Sequence, residues 1–257
     1  MYNRPMAEPE LTLEQLGRKD LEMYQIKDGF RFGTDTVLLA WFTASFVKGR
    51  KPVKALELGA NCGAASLLLI GRKRNVSVDS LELDHDAYEV LKKNIELNSL
   101  GDIMRAHEGD VRELPDDIRR SQYDLVFMNP PFFKPGTGPS SDSNKPGKLH
   151  GRFENNGGLE DFISAGASRL IPSSGIMCIV MTARRTDEVI CLMGKYQVKP
   201  VAIMPVHPAY DKNAEMVLIA GRRTDKDPQL EIMPPLVLND KDRMNDIYNK
   251  EHEDCFI

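Results

Sequence analysis

Val53-Lys-Ala-Leu-Glu57-Leu-Gly59-Ala-Asn61-Cys-Gly63 reads as a short apolar strand running directly into a glycine-rich turn, and Ala64 to about Ile70 continues it as an apolar helix. A strand, a tight turn and a helix form the first unit of a doubly wound nucleotide-binding fold, where glycines let the backbone approach a ligand closely. Downstream, Val76 to Leu83 is a second strand ending in Glu82-Leu83-Asp84, and a long helix follows from about His85 to Leu97. An acid at this strand end, a couple of dozen positions after the glycine turn, can accept hydrogen bonds from both hydroxyls of a ribose. Glu82 stands there. NAD enzymes use the same device, so Glu82 alone does not choose the cofactor.

Ile103 to His107 is a short third strand followed by Gly109-Asp110-Val111, and the next apolar run is Asp124-Leu-Val-Phe-Met-Asn129-Pro130-Pro131-Phe132-Phe133. Two consecutive prolines cannot donate to a sheet ladder, so they end the strand and leave Asn129 at its carboxyl end. Ligands of open α/β sheets bind at the carboxyl ends of strands. A polar side chain on a rigid Pro-Pro turn, with aromatics behind it, is placed for chemistry.

Asn129-Pro130-Pro131-Phe132 resembles the catalytic signature of S-adenosylmethionine (SAM) dependent methyltransferases that modify exocyclic or amide nitrogens. With Phe30-Arg-Phe-Gly-Thr34-Asp35-Thr-Val-Leu-Leu-Ala40 added, the chain most resembles the bacterial tRNA1(Val) adenine-N6 methyltransferases, from about Leu21 to Arg222. The resemblance implies a class I, Rossmann-like α/β fold, with a mostly parallel seven-stranded sheet, an antiparallel last strand and a small N-terminal β-hairpin. It implies that Asn129, Pro130, Pro131 and Phe132 are catalytic. It also implies that SAM is held by Thr34, Asp35, Glu57, Gly59, Asn61, Gly63, Glu82, Leu83, Asp110 and Asn129. Asp110 is expected to face the adenine amino group of the cofactor, and residues 34–35 to lie over it. Asn61 replaces the usual middle glycine of the turn, and Asn is among the non-glycine residues that best tolerate positive φ.

In the remainder of the chain, residues 1–20 are expected to be a poorly ordered leader. Two β-like runs between Leu21 and Phe32 flank Lys27-Asp28-Gly29, where Asp-Gly is a strong turn signal, so a hairpin is expected there. Thr34 fits a helix N-cap with Asp35 in the first turn. After the Pro-Pro motif, Lys134 to Gly158 is dense in Gly, Pro, Ser and Asn. Four basic residues, Lys134, Lys145, Lys148 and Arg152, precede Glu154 against one acid. Helices are expected at Leu159 to Leu170 and about Thr186 to Lys195, and strands at Ile176 to Met181, Pro200 to Val206 and Met216 to Ala220. The last two are expected to form an antiparallel hairpin finishing the sheet, as in methyltransferases rather than dehydrogenases. Residues 21–222 read as one domain.

The 257 residues carry a net charge of −4, all of it in residues 223–257, which hold five Lys/Arg against nine Asp/Glu. The body is neutral and the tail acidic, with Pro235 to Leu238 as a possible short strand. A nucleic-acid enzyme requires a basic footprint, so the loop Lys134 to Arg152 is the expected RNA contact, with Lys48, Arg50, Lys51 and Arg72-Lys73-Arg74 as the alternative surface. Cys62, Cys178, Cys191 and Cys255 show no metal-type pairing, no signal peptide is evident, and no apolar run reaches a membrane span. A cytoplasmic, metal-free enzyme with reduced thiols is expected.

An adenine amino group is a poor nucleophile because its lone pair is delocalised into the ring. Acceptors at the Asn129 side-chain carbonyl and the Pro130 backbone carbonyl would localise it, and Phe132 would stack on the base. Alternatives from other classes are a protein-glutamine N5 or rRNA guanine-N2 methyltransferase, an NAD-binding oxidoreductase and a non-catalytic nucleotide-binding module.

Overall fold

In the computed structural model, residues 9–18, 20–132 and 157–248 are described. The chain opens with β1 (Leu11–Gln15) and β2 (Glu22–Ile26), an antiparallel pair, followed by α1 (Thr34–Ala44). The doubly wound body then runs β3 (Val53–Leu58), α2 (Ala64–Arg72), β4 (Val76–Glu82), α3 (His85–Leu97), β5 (Met104–Glu108), the single turn α4 (Asp116–Arg119) and β6 (Leu125–Met128). Beyond residue 157 come α5 (Leu159–Arg169), β7 (Ile176–Thr182), α6 (Thr186–Lys195), β8 (Val198–His207) and β9 (Met216–Arg223). Two short strands, β10 (Glu231–Ile232) and β11 (Leu236–Val237), and α7 (Lys241–Tyr248) complete the described residues.

The main sheet has the order β10-β8-β9-β7-β6-β3-β4-β5. Strands β3 to β7 pair in parallel, and β9 is antiparallel to both β7 and β8. This is the expected seven-stranded arrangement, extended by β10 and β11, which both pair in parallel with β8. The candidate strand in the tail is therefore β11, and residues 223–248 include sheet edge and helix.

Helices cover both faces, which is why the parallel strands read as unbroken apolar runs. Side chains alternate between the faces along each strand. Ala55, Leu125, Phe127 and Cys178 join α1, α2 and α3 in one core, while Leu56, Leu58, Val126, Met128 and Met177 join α5 and α6 in the other.

The N-terminal segment departs from the sequence expectation. The hairpin does not turn at Lys27-Asp28-Gly29; β2 pairs with Leu11–Gln15, inside the supposed leader, and the Asp-Gly step follows the hairpin. A neighbour for β2 is also supplied by α3. Asn94 accepts from the Tyr24 N–H at 2.6 Å and donates to its carbonyl at 2.9 Å, and Asn98 does the same for Glu22 at 3.0 and 2.7 Å. Two amides one helical turn apart thus take the place of a third strand, and Asn94 also donates to the Cys62 carbonyl of the glycine turn at 2.8 Å. Thr34 is the first residue of α1; the N-cap is Gly33.

Candidate active site

The chain leaves β3 towards β4 and β5 and returns on the other side of β3 as β6, so the strand order reverses between β3 and β6. A ligand crevice is expected at such a switch point. Register defines it closely. Leu58 pairs with both Met128 and Leu81, so the next residue along each chain segment, Gly59, Asn129 and Glu82, emerges side by side with the others. They line a cleft of about 900 Å³ together with Asn61, Leu83, Pro130, Pro131, Phe132 and Phe162. Asp35 and the segment after β2, including Asp28, Phe30 and Arg31, also line it.

The glycine turn is shaped by three left-handed residues, Gly59 at φ 72°, Asn61 at φ 48° and Gly63 at φ 88°. Asn61 takes the conformation that its small polar side chain tolerates, and its Oδ1 accepts from the Cys62 N–H at 2.7 Å. Glu82 closes the turn from below, accepting from the Asn61 N–H at 2.7 Å and the Asp84 N–H at 2.8 Å. Desolvation raises its pKa, opposed by those backbone donors.

Asn129 shows a divided amide. Its Nδ2 donates to Asp35 Oδ2 at 2.9 Å, and its Oδ1 is buried with no hydrogen-bond partner among the described residues. Buried side-chain acceptors are normally satisfied, so an orphaned one at the mouth of a strand calls for a functional account. The Pro-Pro turn behind it is held by Arg185, whose Nη1 donates to the Phe132 carbonyl at 3.3 Å and lies 3.5 Å from that of Pro131.

Four residues of the expected cofactor set lie elsewhere. Glu57 is buried beneath the turn, where its carboxylate accepts from the Ser66 backbone N–H at 3.1 Å and from the Ser66 hydroxyl, capping the start of α2. Burial pushes its pKa up to about 8. Gly63 touches α3 rather than the cleft, since a Cβ there would collide with Leu91. Thr34 faces the Tyr248 hydroxyl, 3.5 Å away, outside the cleft lining. Asp110 is held by Arg112, whose N–H and guanidinium both donate to it, and only its neighbours Gly109 and Val111 line the cleft. Lys134, Lys145, Lys148 and Arg152, like Phe133, lie outside the described residues. On the alternative basic surface, Arg72 is buried and donates to the Ile247 carbonyl at 2.5 Å, which removes it from any phosphate-facing patch.

Among the described residues no group of His, Cys, Asp and Glu is arranged to hold a metal, and no helix is long and apolar enough to cross a membrane. Cys62, Cys178 and Cys191 are free thiols.

Residues 48–134 match the family described as the TRM5/TYW2 methyltransferase domain. A predicted O-methyltransferase of Agrobacterium tumefaciens superimposes with a TM-score of 0.61 at 19% identity, covering 82% of this chain and 97% of its own. The chain has the class I SAM-dependent methyltransferase fold. It is also 25% identical over 215 residues to the tRNA1(Val) (adenine(37)-N6)-methyltransferase of Flavobacterium psychrophilum, covering 84% of this chain and 88% of the relative. The enzyme of the same description from Flavobacterium johnsoniae is 28% identical over 210 residues, covering 80% and 84%. The resemblance read from the Asn-Pro-Pro-Phe and Phe30 to Ala40 motifs thus extends over most of the chain.

Arg185, which reaches the Pro-Pro turn from the segment between β7 and α6, gave no sequence signal, whereas Phe30 and Arg31, which follow β2 into the cleft lining, belong to the Phe30 to Ala40 motif. Asn94 and Asn98 had one faint cue, their spacing of four on one helix face.

Proposed function

We propose that this protein transfers a methyl group from SAM to the N6 amino group of an adenine next to the anticodon of a tRNA. The observation that carries this reading is the orphaned Oδ1 of Asn129 beside the glycine turn. A buried unpartnered carbonyl costs about 1–3 kcal/mol, and an amino hydrogen delivered to it recovers that cost in the substrate complex. The atom is covered in this state, so the wall around it has to give as the base enters.

The cleft fits the cofactor. Gly59 brings backbone to its floor, Glu82 presents two carboxylate oxygens, each with capacity left after its backbone contact, and Asn61 and Leu83 line the same wall. When bound there, SAM supplies an electrophilic methyl group on a sulfonium. The protein supplies orientation. Asn129 Oδ1, with the Pro130 carbonyl, accepts the two amino hydrogens and draws the nitrogen lone pair out of the ring, so no strong base is needed before attack. Phe132 offers a stacking face worth roughly 1–3 kcal/mol, and an anticodon loop presents an unpaired base at little cost.

The relatives of this description, matched over most of their length, support the tRNA substrate. The test is nucleoside mass spectrometry of total tRNA from cells lacking the protein, complemented with wild type or with Asn129→Ala. N6-methyladenosine restored by wild type and not by the variant supports the reading. Unchanged tRNA nucleosides in all three strains defeat it.

A further inference from the structure

We propose that Asp35 is a positioning residue that fixes which way the Asn129 amide points, so that the carbonyl rather than the NH₂ group meets the incoming amino group. The inference rests on the proposed methyl transfer and assigns Asp35 a task other than holding the cofactor. A primary amide has two faces of similar shape and opposite polarity, and only its partners decide between them. An ionised carboxylate is acceptor-only. Facing one at 2.9 Å, Asn129 presents Nδ2 to Asp35 Oδ2 and turns Oδ1 to the other side. The reversed rotamer would oppose two oxygens and leave the NH₂ aimed at the substrate's own donors.

Asp35 is itself held in place. Its other oxygen accepts from the Thr36 N–H at 2.9 Å, in the first turn of α1, where a negative charge suits the helix dipole. Gly33 leaves room for that oxygen, since a Cβ at position 33 would sit 2.9 Å from Asp35 Oδ1. The glycine, the aspartate and the asparagine, 94 positions further on, thus form one device: space, acceptor and oriented amide.

The test uses purified full-length protein, labelled SAM and an unmodified tRNA(Val) transcript. In Asp35→Asn the partner can be donor or acceptor, both amide rotamers become tolerable, and kcat should fall roughly tenfold, part of the factor of ~10² that one transition-state hydrogen bond contributes. The Kd for SAM should move less than twofold. Asn129→Asp should be slow too, because it sets two carboxylates face to face. The double variant Asp35→Asn/Asn129→Asp restores a donor–acceptor pair with a carboxylate oxygen left for the substrate, and should recover most of the loss. A residue that only stabilises α1 cannot be rescued from position 129. In ¹⁵N spectra, the Asn129 side-chain amide protons should be protected from exchange in wild type and lose that protection in Asp35→Ala. Wild-type kcat in Asp35→Asn, or a double variant no better than its worse parent, overturns the assignment while leaving the methyltransferase reading intact. If wild type does not methylate the transcript, the proposed function fails, and an unprotected Asn129 amide in wild type overturns the positioning contact independently.

Discussion

Glu82 accepts from the backbone N–H of Asn61 at 2.7 Å, so the end of β4 holds the glycine turn that follows β3. One carboxylate shapes the turn and, in the proposed complex, would also offer acceptors to a ribose. Glu82→Ala should weaken SAM by about 1.5–3 kcal/mol, the range for hydrogen bonds to charged groups. Because desolvation raises the pKa of Glu82, and the ionised form is the better acceptor, SAM affinity should fall as pH drops through that raised value. Calorimetry across pH on wild type and variant checks both statements, and an unchanged affinity in Glu82→Ala removes Glu82 from the ribose site.

Asn129→Ala should leave SAM affinity nearly intact and cut turnover by a factor of roughly 10² or more, because in the proposed mechanism its carbonyl acts only at the reacting amino group. Single-turnover rates alongside SAM titrations separate the two effects. A loss confined to SAM binding would make Asn129 a cofactor residue.

The contrast between Asn129 and Asp110 shows what the sequence discloses. Asn129 was legible because a Pro-Pro pair ends a strand whatever surrounds it, and strand ends face ligands. Asp110 had only its place after β5, and position does not say whether a carboxylate faces the cleft or an arginine two residues on. Glu57 misled for a similar reason: it lies in the strand before the turn, but the alternation of side chains across β3 points it beneath the turn, towards Ser66. The N-terminal hairpin misled through its turn signal. Lys27-Asp28-Gly29 is the strongest local turn in that region, whereas the true partner of β2, Leu11–Gln15, is a half-exposed strand, and the other edge of β2 is closed by Asn94 and Asn98 from a distant helix. Strand β10, two residues long, is too short to leave a pattern, whereas β11 falls within the apolar run Pro235 to Leu238.

Asn94→Ala should destabilise the fold by roughly 3 kcal/mol, since it strands the half-buried Tyr24 N–H and carbonyl and the buried Cys62 carbonyl. Asn98→Ala should cost about 1 kcal/mol, because Asn98 is itself only half-buried and makes no bond to the glycine turn. Urea unfolding of both variants checks the order, and equal losses would mean that the contact with the glycine turn contributes nothing.

Glu57 sets a pH dependence of stability. Its pKa, pushed up to about 8 by burial, exceeds that of the unfolded chain, so the folded state holds this proton more tightly. The resulting stabilisation is complete below the ordinary carboxylate range and is lost as pH rises towards about 8, over a span on the order of a few kcal/mol. Glu57→Gln keeps an acceptor for the Ser66 N–H but has no proton to lose. Melting temperatures should decline between pH 5 and about 8 in wild type and stay nearly flat over that window in the variant, and parallel curves would show that another group titrates.

The charge of the cleft decides where an RNA backbone can dock. Among the described residues, Asp28, Asp35, Glu82, Asp84 and Asp86 line it against Arg31, and Arg31 is already paired with Glu14. A sulfonium suits such a wall and phosphates do not, so the base has to enter while its backbone stays outside. Burial of Arg72 weakens the alternative basic surface, which leaves the loop containing Lys145, Lys148 and Arg152 as the proposed phosphate contact. Each phosphate contact contributes roughly −0.7 to the slope of log affinity against log salt for single-stranded nucleic acid. Neutralising Lys145, Lys148 and Arg152 together should therefore flatten the salt dependence of tRNA binding by about two units and raise the KM for tRNA, while the KM for SAM hardly moves. Filter binding across a salt series measures the slope. A triple variant with the wild-type slope places the phosphates elsewhere, with Lys48, Arg50 and Lys51 next to be neutralised.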